Sequence, residues 1–250
     1  MTSHDHLRVV DVSVVLGGVL ILDGVSFDVT AGEGFGIIGP NGAGKTTVIN
    51  VINAAIPVVS GEVFLGSTRL VGGRAHRMRG LGIGRSFQTT QYFHDLTCQE
   101  LVSLSALPNS VHGALRFREH RTRSFSAEDA LALLGLEDFA NRRLGELSTA
   151  VQKLIDMARA VAAGQRVLLL DEPTSGVSQT ERGVIASALG RLREAGRTIV
   201  MIDHDPAFVV ANCDRLMAMN FGRVLRVGSP DEVMRDDEVR RSYLGEMTAS

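Results

Sequence analysis

The stretch FGIIGPNGAGKTTVINVI, Phe35 to Ile52, decides the fold. It reads as a short apolar strand, a glycine-rich turn and the start of a helix. Gly39, Gly44, Lys45 and Thr46 satisfy the spacing G-x-x-x-x-G-K-[ST]. Each residue type has a physical task in such a loop. Glycines reach backbone angles that would strain other residues, which lets main-chain N–H groups converge on phosphate oxygens. The loop Gly39, Pro40, Asn41, Gly42, Ala43 and Gly44, with Thr47 just inside the helix, is therefore expected to wrap a nucleotide's phosphates. The helix N-terminus adds its dipole to that attraction. Lys45 would reach the β- and γ-phosphates, and the Thr46 hydroxyl would hold Mg²⁺. The composition singles out the same position. Lys45 and Lys153 are the only two lysines among 26 basic residues, so a lysine marks a place where a compact ammonium is needed.

Working outward, LRVVDVSVVL and VSFDV alternate apolar and polar residues, and the turn TAGEG separates the latter from the phosphate loop's strand. These are short strands, several of them antiparallel. VINVINAAI has helical spacing; GEVFL and GIGRSF return to strand. From about Gln91 to Gly164 the pattern is helical, in LTCQELVSLSAL, SAEDALALLGL and STAVQKLIDMARAVAA, with Ser126 and Ser148 placed as N-caps. RVLLLD, RTIVMID and RLMAMN are strands again, with a helix over Gln179 to Glu194 between the first two. That is a βαβ pattern and implies a parallel sheet. The fold class is α/β with a helical block inserted into it. The expected division is a core of 1–90 and 159–230, a helical subdomain of 91–158 and a C-terminal helical tail of 231–250. VLLLDE ends a buried strand in two acids: Asp171 is placed to bind Mg²⁺ and Glu172 to orient or deprotonate a water.

The bulk numbers agree with a globular protein of 250 residues, 44% apolar and 22% charged. A net charge of -2 does not favour nucleic acid as a partner. No apolar run approaches the roughly 18 residues that would span a bilayer, and MTSHDHLRVVDV lacks the pattern of a secretion signal. Cys98 and Cys213 are isolated, which suits small buried side chains in a reducing compartment. The basic stretch LRFREHRTRSF, Leu115 to Phe125, reads as a solvated face, or as a patch for a membrane-domain loop or anionic headgroups.

Taken in order, GPNGAGKTT, RSFQ, ELSTAVQKLIDMARAVA, LLLDEPTSG and MIDHD resemble the nucleotide-binding subunit of an ABC transporter, over essentially the whole chain. The resemblance implies a P-loop NTPase: a RecA-like core, an antiparallel β subdomain and an inserted helical subdomain. It implies ATP and Mg²⁺, and a head-to-tail dimer in which each ATP lies between one chain's phosphate loop and the other's signature motif. By position it makes Gln88 the glutamine that touches Mg²⁺ and senses the membrane subunit, Glu172 the catalytic base and His204 the contact to the γ-phosphate. The metal set is then Thr46, Gln88 and Asp171. LGG at Leu16 to Gly18, GIGRSFQ and the ending EVRRSYLGE resemble importers of branched-chain amino acids and their urea and amide relatives. The partners implied are transmembrane permease subunits, a second ATP-binding subunit (a heterodimer over a homodimer) and, indirectly, a periplasmic or extracellular solute-binding protein. The implied place is cytoplasmic, peripheral on the inner face of the membrane. The alternatives are an ATP-binding regulatory subunit with little hydrolysis, or an ABC ATPase not coupled to transport.

Three departures from that pattern stand out. LSTAV, Leu147 to Val151, occupies the position of LSGGQ: Ser148 is kept, Thr149 and Ala150 stand in place of glycines and Val151 in place of glutamine. The added Cβ atoms are expected to hold the helix end away from the opposite γ-phosphate, while its dipole remains available. Ser178 stands where an aspartate is common. Leu16 stands where an aromatic ring would stack on adenine, and an aliphatic contact replaces only part of that packing.

Overall fold

The structure, a computed structural model, describes residues 6–70, 75–85, 95–106 and 125–247. Two sheets organise it. Strands β1 (Leu7–Leu16), β2 (Val19–Val29), β4 (Ser60–Leu65) and β5 (Thr68–Arg69) form an antiparallel sheet in the order β2-β1-β4-β5. Strands β3 (Gly34–Ile38), β6 (Ile83–Arg85), β7 (Val167–Asp171), β8 (Thr198–Ile202), β9 (Arg215–Asn220) and β10 (Arg223–Gly228) form the second, in the order β10-β9-β3-β8-β7-β6. Every neighbour pair in this second sheet is parallel except the β9–β10 hairpin. The fold is thus the expected α/β class with an antiparallel β region beside a parallel core.

The parallel strands read as continuous apolar runs because both of their faces are covered. VLLL of β7 and TIVMI of β8 are buried throughout. Successive side chains point to opposite faces, and the two faces feed two separate cores. Leu168, Leu170, Ile199 and Met201 join the helical side. Val167, Leu169, Val200 and Ile202 join the side made by α1 (Lys45–Ile52) and the antiparallel sheet. Each such aliphatic side chain contributes on the order of 1.5–3 kcal/mol by leaving water.

The remaining described α-helices are α2 (Ala75–Leu81), α3 (Cys98–Ala106), α4 (Ala127–Leu134), α5 (Thr149–Ala162), α6 (Gln179–Glu194), α7 (Pro206–Asn212), α8 (Pro230–Arg235) and α9 (Asp237–Met247). Apolar residues of α3, α4, α5 and α6 meet in the helical-side core, among them Leu101, Leu131, Leu154 and Ile185. Helix α5 is continuous across residues 158 and 159, so one helix joins the inserted block to the core. Ser126 caps α4 through a reciprocal capping box with Asp129. Ser148 holds the N-cap position of α5 but makes no capping side-chain bond there. Helix α6 has the bounds read from sequence, and its own cap is Ser178, boxed with Glu181. The hydroxyl at Ser178 thus does the capping work that an aspartate would do at that position. VINVINAAI is helical only to Ile52; the chain turns at Ala54, whose φ is +50°. Cys98 and Cys213 are buried free thiols in the helical-side core.

Candidate nucleotide-binding site

The order β3-β8-β7 sets the C-terminal ends of three parallel strands side by side, the edge at which ligands bind in such sheets. β3 runs into the phosphate loop, β7 into Asp171 and Glu172, and β8 into Asp203 and His204. A cleft of about 310 Å³ lies at this edge, lined by Asn41 to Thr47, Glu172, Asp203 and His204, with Ile21 of β2 at its side.

The loop's shape rests on two glycines. Gly44 caps α1 at φ +99°, a left-handed conformation costly for a residue with a Cβ. A Cβ on Gly39 would lie 2.2 Å from the Met219 carbonyl oxygen, so the loop can leave β3 against β9 only with glycine there. Gly222, in the β9–β10 turn, donates its N–H to the Ala43 carbonyl at 3.1 Å and ties the loop down from that side. Lys45 Nζ donates to the carbonyls of Gly39 at 2.6 Å and Pro40 at 2.8 Å. The ammonium is therefore held over the loop, beside the N-terminus of α1, where phosphate charge is favoured. Thr46 and Thr47 follow it into the cleft wall. The residues present fit a nucleotide's phosphates.

Across the cleft, His204 Nδ1 lies 3.5 Å from Glu172 Oε2, and both side chains are open to solvent. Glu172 has φ +53°, rare for a residue with a side chain. Its N–H donates to the Ile202 carbonyl at 2.8 Å, continuing the β7–β8 pairing one residue past the strand. Asp203, missed in the sequence reading although it stands inside MIDHD, lines the cleft and is buried. Its carboxylate accepts the Thr174 N–H at 3.0 Å and the Thr174 hydroxyl at 2.7 Å, fixing the loop after Glu172.

Other candidates lie outside this lining. Asp171 sits behind it, its Oδ2 accepting from Arg85 at 2.6 Å, while Arg85 also donates to Asn50 of α1 at 2.6 Å. Arg85 was visible in sequence only as the first letter of RSFQ. Leu16 is exposed at the end of β1 and does not line the cleft; Ile21 supplies the aliphatic wall instead. Gln88 and all of the basic stretch except Phe125 lie outside the described residues.

The LSTAV residues form the start of α5. Ser148 and Thr149 are exposed, Val151 is half-buried against the helical-side core, and Ala150 is 2% exposed. The two positions at which the resemblance expects glycine are therefore unlike: the Thr149 side chain stands at the open helix end, whereas the Ala150 methyl packs inward. One helical turn on, Lys153 Nζ donates to the Glu172 carbonyl at 2.7 Å.

Comparison with known proteins agrees with this geometry. The chain is 30% identical to the high-affinity branched-chain amino acid transport ATP-binding protein BraF of Pseudomonas aeruginosa over 254 residues, covering 98% of this chain and 99% of that protein. It is likewise 30% identical to the high-affinity branched-chain amino acid transport ATP-binding protein LivG of Salmonella typhimurium over 253 residues, with 98% and 99% covered. Among solved structures, the ADP conformation of MJ1267, an ATP-binding cassette of an ABC transporter, aligns with a TM-score of 0.82 and 29% identity, covering 96% of this chain and 98% of that one. The cbiO1 protein of Clostridium perfringens, part of the ABC transporter complex cbiONQ, aligns at 0.79 and 26%, covering 96% and 98%. The family model described as "ABC transporter" matches residues 22–175, from the strand beside the cleft through the phosphate loop to the turn after Glu172. The chain belongs to the ABC transporter family, as one of its ATP-binding subunits.

Proposed function

We propose that this subunit hydrolyses ATP to drive an importer of branched-chain amino acids or similar small polar solutes, as one half of a dimer whose two ATP sites are unequal. The observation that carries the ATPase reading is the convergence of Lys45, Thr46, Glu172 and His204 on one cleft at the ends of three adjacent strands. The likeness to the BraF and LivG proteins over nearly their whole length supports the solute class.

In this reading Lys45 and the loop N–H groups bind the β- and γ-phosphates. Glu172 accepts the proton of the attacking water, and His204 holds a γ-phosphate oxygen beside it. Asp203 keeps the loop after Glu172 in register through Thr174. Mg²⁺ would be held by the Thr46 hydroxyl and, as the family resemblance implies, by Gln88 and by Asp171, whose carboxylate is paired with Arg85 behind the cleft and would act through water. Among the described residues, no three His, Cys, Asp or Glu side chains converge into a metal cage. That suits Mg²⁺, which keeps several waters and takes one or two carboxylates plus phosphates. When bound, the metal neutralises charge developing on the phosphates.

The second ATP-binding subunit is a different chain with an intact signature. This chain's Lys45 and Glu172 with that signature make a fast site; its own Ser148, Thr149, Ala150 and Val151 complete a slow one. Transmembrane permease subunits carry the solute and a solute-binding protein delivers it. In this reading the subunit sits peripherally on the cytoplasmic face, which the likeness to importer ATP-binding proteins supports; no helix among the described residues is long and apolar enough to cross a membrane. The test is steady-state ATPase activity of the chain alone and with a partner cassette whose signature is intact. Activity that needs the partner and vanishes with Glu172→Gln supports the reading. Robust Glu172-dependent activity of the chain alone counts against the unequal pair.

A further inference from the structure

The catalytic assignment leaves one group unused: Lys153, the second of the chain's two lysines. Its side chain is half-buried under the cleft, and its ammonium donates to the main-chain carbonyl of Glu172 at 2.7 Å. That carbonyl belongs to a residue at φ +53°. Residues other than glycine rarely adopt this region, and it persists where the surroundings over-determine it. The surroundings here are few. The Glu172 N–H is held by Ile202 of β8 at 2.8 Å, and the carbonyl also accepts a longer bond from the Ser175 N–H at 3.2 Å. The Lys153 bond is shorter and charge-assisted, hence stronger, and among the described residues it is the one that comes from a helix outside the strand pair and its turn.

We propose that Lys153 is a positioning residue for hydrolysis, clamping the backbone of Glu172 in the left-handed conformation that presents its carboxylate to the cleft beside His204. This rests on the reading of Glu172 as the base. The residue type fits the task. A compact ammonium on a flexible four-carbon stem reaches a loop carbonyl that a planar guanidinium would have to meet edge-on. Burial pulls the Lys153 ammonium below the usual lysine range, opposed by the carboxylates of Asp203, Glu172 and Asp156, so the group sits where an acceptor for its protons matters. The clamp also joins the two halves of the mechanism. Lys153 lies four residues after Thr149, on the same side of α5, and Thr149 Cγ2 is 3.8 Å from where a Cβ on Gly176 would stand. One face of the signature helix therefore touches the loop from Glu172 to Gly176 at both ends, and a shift of that helix moves the glutamate's main chain.

The test uses the full chain in its ATPase-active assembly. Single-turnover hydrolysis of labelled ATP and the Kd for ATP are measured for Lys153→Met, Lys153→Arg, Glu172→Gln and the double variant Lys153→Met/Glu172→Gln. Loss of one charge-assisted bond predicts a fall in kcat of about ten- to a hundred-fold for Lys153→Met, at a Kd for ATP unchanged within about twofold. Lys153→Arg, which keeps a charged donor, recovers part of the rate. In the Glu172→Gln background, Lys153→Met has no further effect, because its influence runs through that carboxylate. A loss that appears in ATP affinity, an equal loss in both backgrounds, or a variant without a cooperative melt would assign Lys153 to the fold and overturn the clamp. Full activity of Glu172→Gln would instead remove the base assignment itself, a result distinct from any of these.

Discussion

If the dimer pairs as proposed above, glycine in place of Thr149 and in place of Ala150 should have different consequences, because the Thr149 side chain is exposed at the helix end and the Ala150 methyl is buried. Ala150 is 2% exposed and packs in the helical-side core within the first turn of α5. Ala150→Gly removes a buried methyl, worth about 0.8 kcal/mol, and places glycine in a helix, at about 1 kcal/mol relative to alanine. The sum is about 2 kcal/mol, which for a chain of this size lowers Tm by about 4–8 °C. It frees nothing at the helix end that a partner's nucleotide would meet. Thr149 is exposed at the first position of the helix. Thr149→Gly therefore costs a few tenths of a kcal/mol in propensity, about 1 °C, gives up the Cγ2 approach to Gly176, and removes the side chain from the open helix end. If one N–H recovers a bond to a charged phosphate oxygen, about 1.5–3 kcal/mol, the composite site completed by this chain speeds up by about ten- to a hundred-and-fifty-fold. The assay is ATP turnover by the assembled dimer with the partner's own catalytic glutamate intact and this chain's Glu172→Gln in place, so that only the composite site is read. Differential scanning of each variant supplies the stability arm. Acceleration by Ala150→Gly equal to that by Thr149→Gly, or none by Thr149→Gly, would refute the argument that the exposed side chain is the obstacle.

Four further outcomes follow from the geometry. Glu172→Gln should lower hydrolysis by about 10²- to 10⁴-fold with ATP affinity retained, read by paired turnover and equilibrium binding. Gly39→Ala should lose nucleotide binding and destabilise the chain, since the new methyl meets the Met219 carbonyl at 2.2 Å and neither backbone can yield freely; calorimetric titration with ATP checks it. Arg85→Met should cost about 1–3 kcal/mol, because the side chains of Arg85 and Asp171 are only 20% and 14% exposed and the carboxylate is left unpaired. Asn50→Ala should cost less, and chemical denaturation of both variants measures the order. Cys213 is pushed up to about 12 by burial, with the Asp214 charge adding to it. A raised thiol pKa favours the neutral form, so no thiolate forms between pH 7 and 9 and Cys213 should resist alkylation until the protein unfolds, as peptide-resolved labelling would reveal.

The sequence legibly carried what is local. Phosphate-loop spacing, the strand ending in two acids, and the helix from Gln179 to Glu194 depend on neighbours along the chain, and α6 has those bounds. What stayed hidden depends on sheet order. Arg85 meets Asp171 because β6 pairs with β7, and Asp203 meets Thr174 because β7 pairs with β8. A βαβ pattern announces a parallel sheet without saying which strands adjoin. The signature reading ran out for a related reason. Register against a family pattern counts the added Cβ atoms, but the turn of α5 decides that the one on Ala150 is core and the one on Thr149 is surface. The scarcity of lysine was the one compositional signal that reached beyond local structure. Both ammoniums donate to main-chain carbonyls of chemistry-bearing loops: Lys45 to Gly39 and Pro40, Lys153 to Glu172. Arginines elsewhere are less selective: Arg223 meets the Asp23 carboxylate, Arg191 the Leu134 carbonyl at a helix end, and Arg197 the Gln165 carbonyl in a turn. A guanidinium suits a planar acceptor that stays in place. A loop carbonyl that must be held at one angle, and that moves when a neighbouring helix moves, is better served by a donor that rotates about its own axis, and the chain keeps its two such donors for those loops.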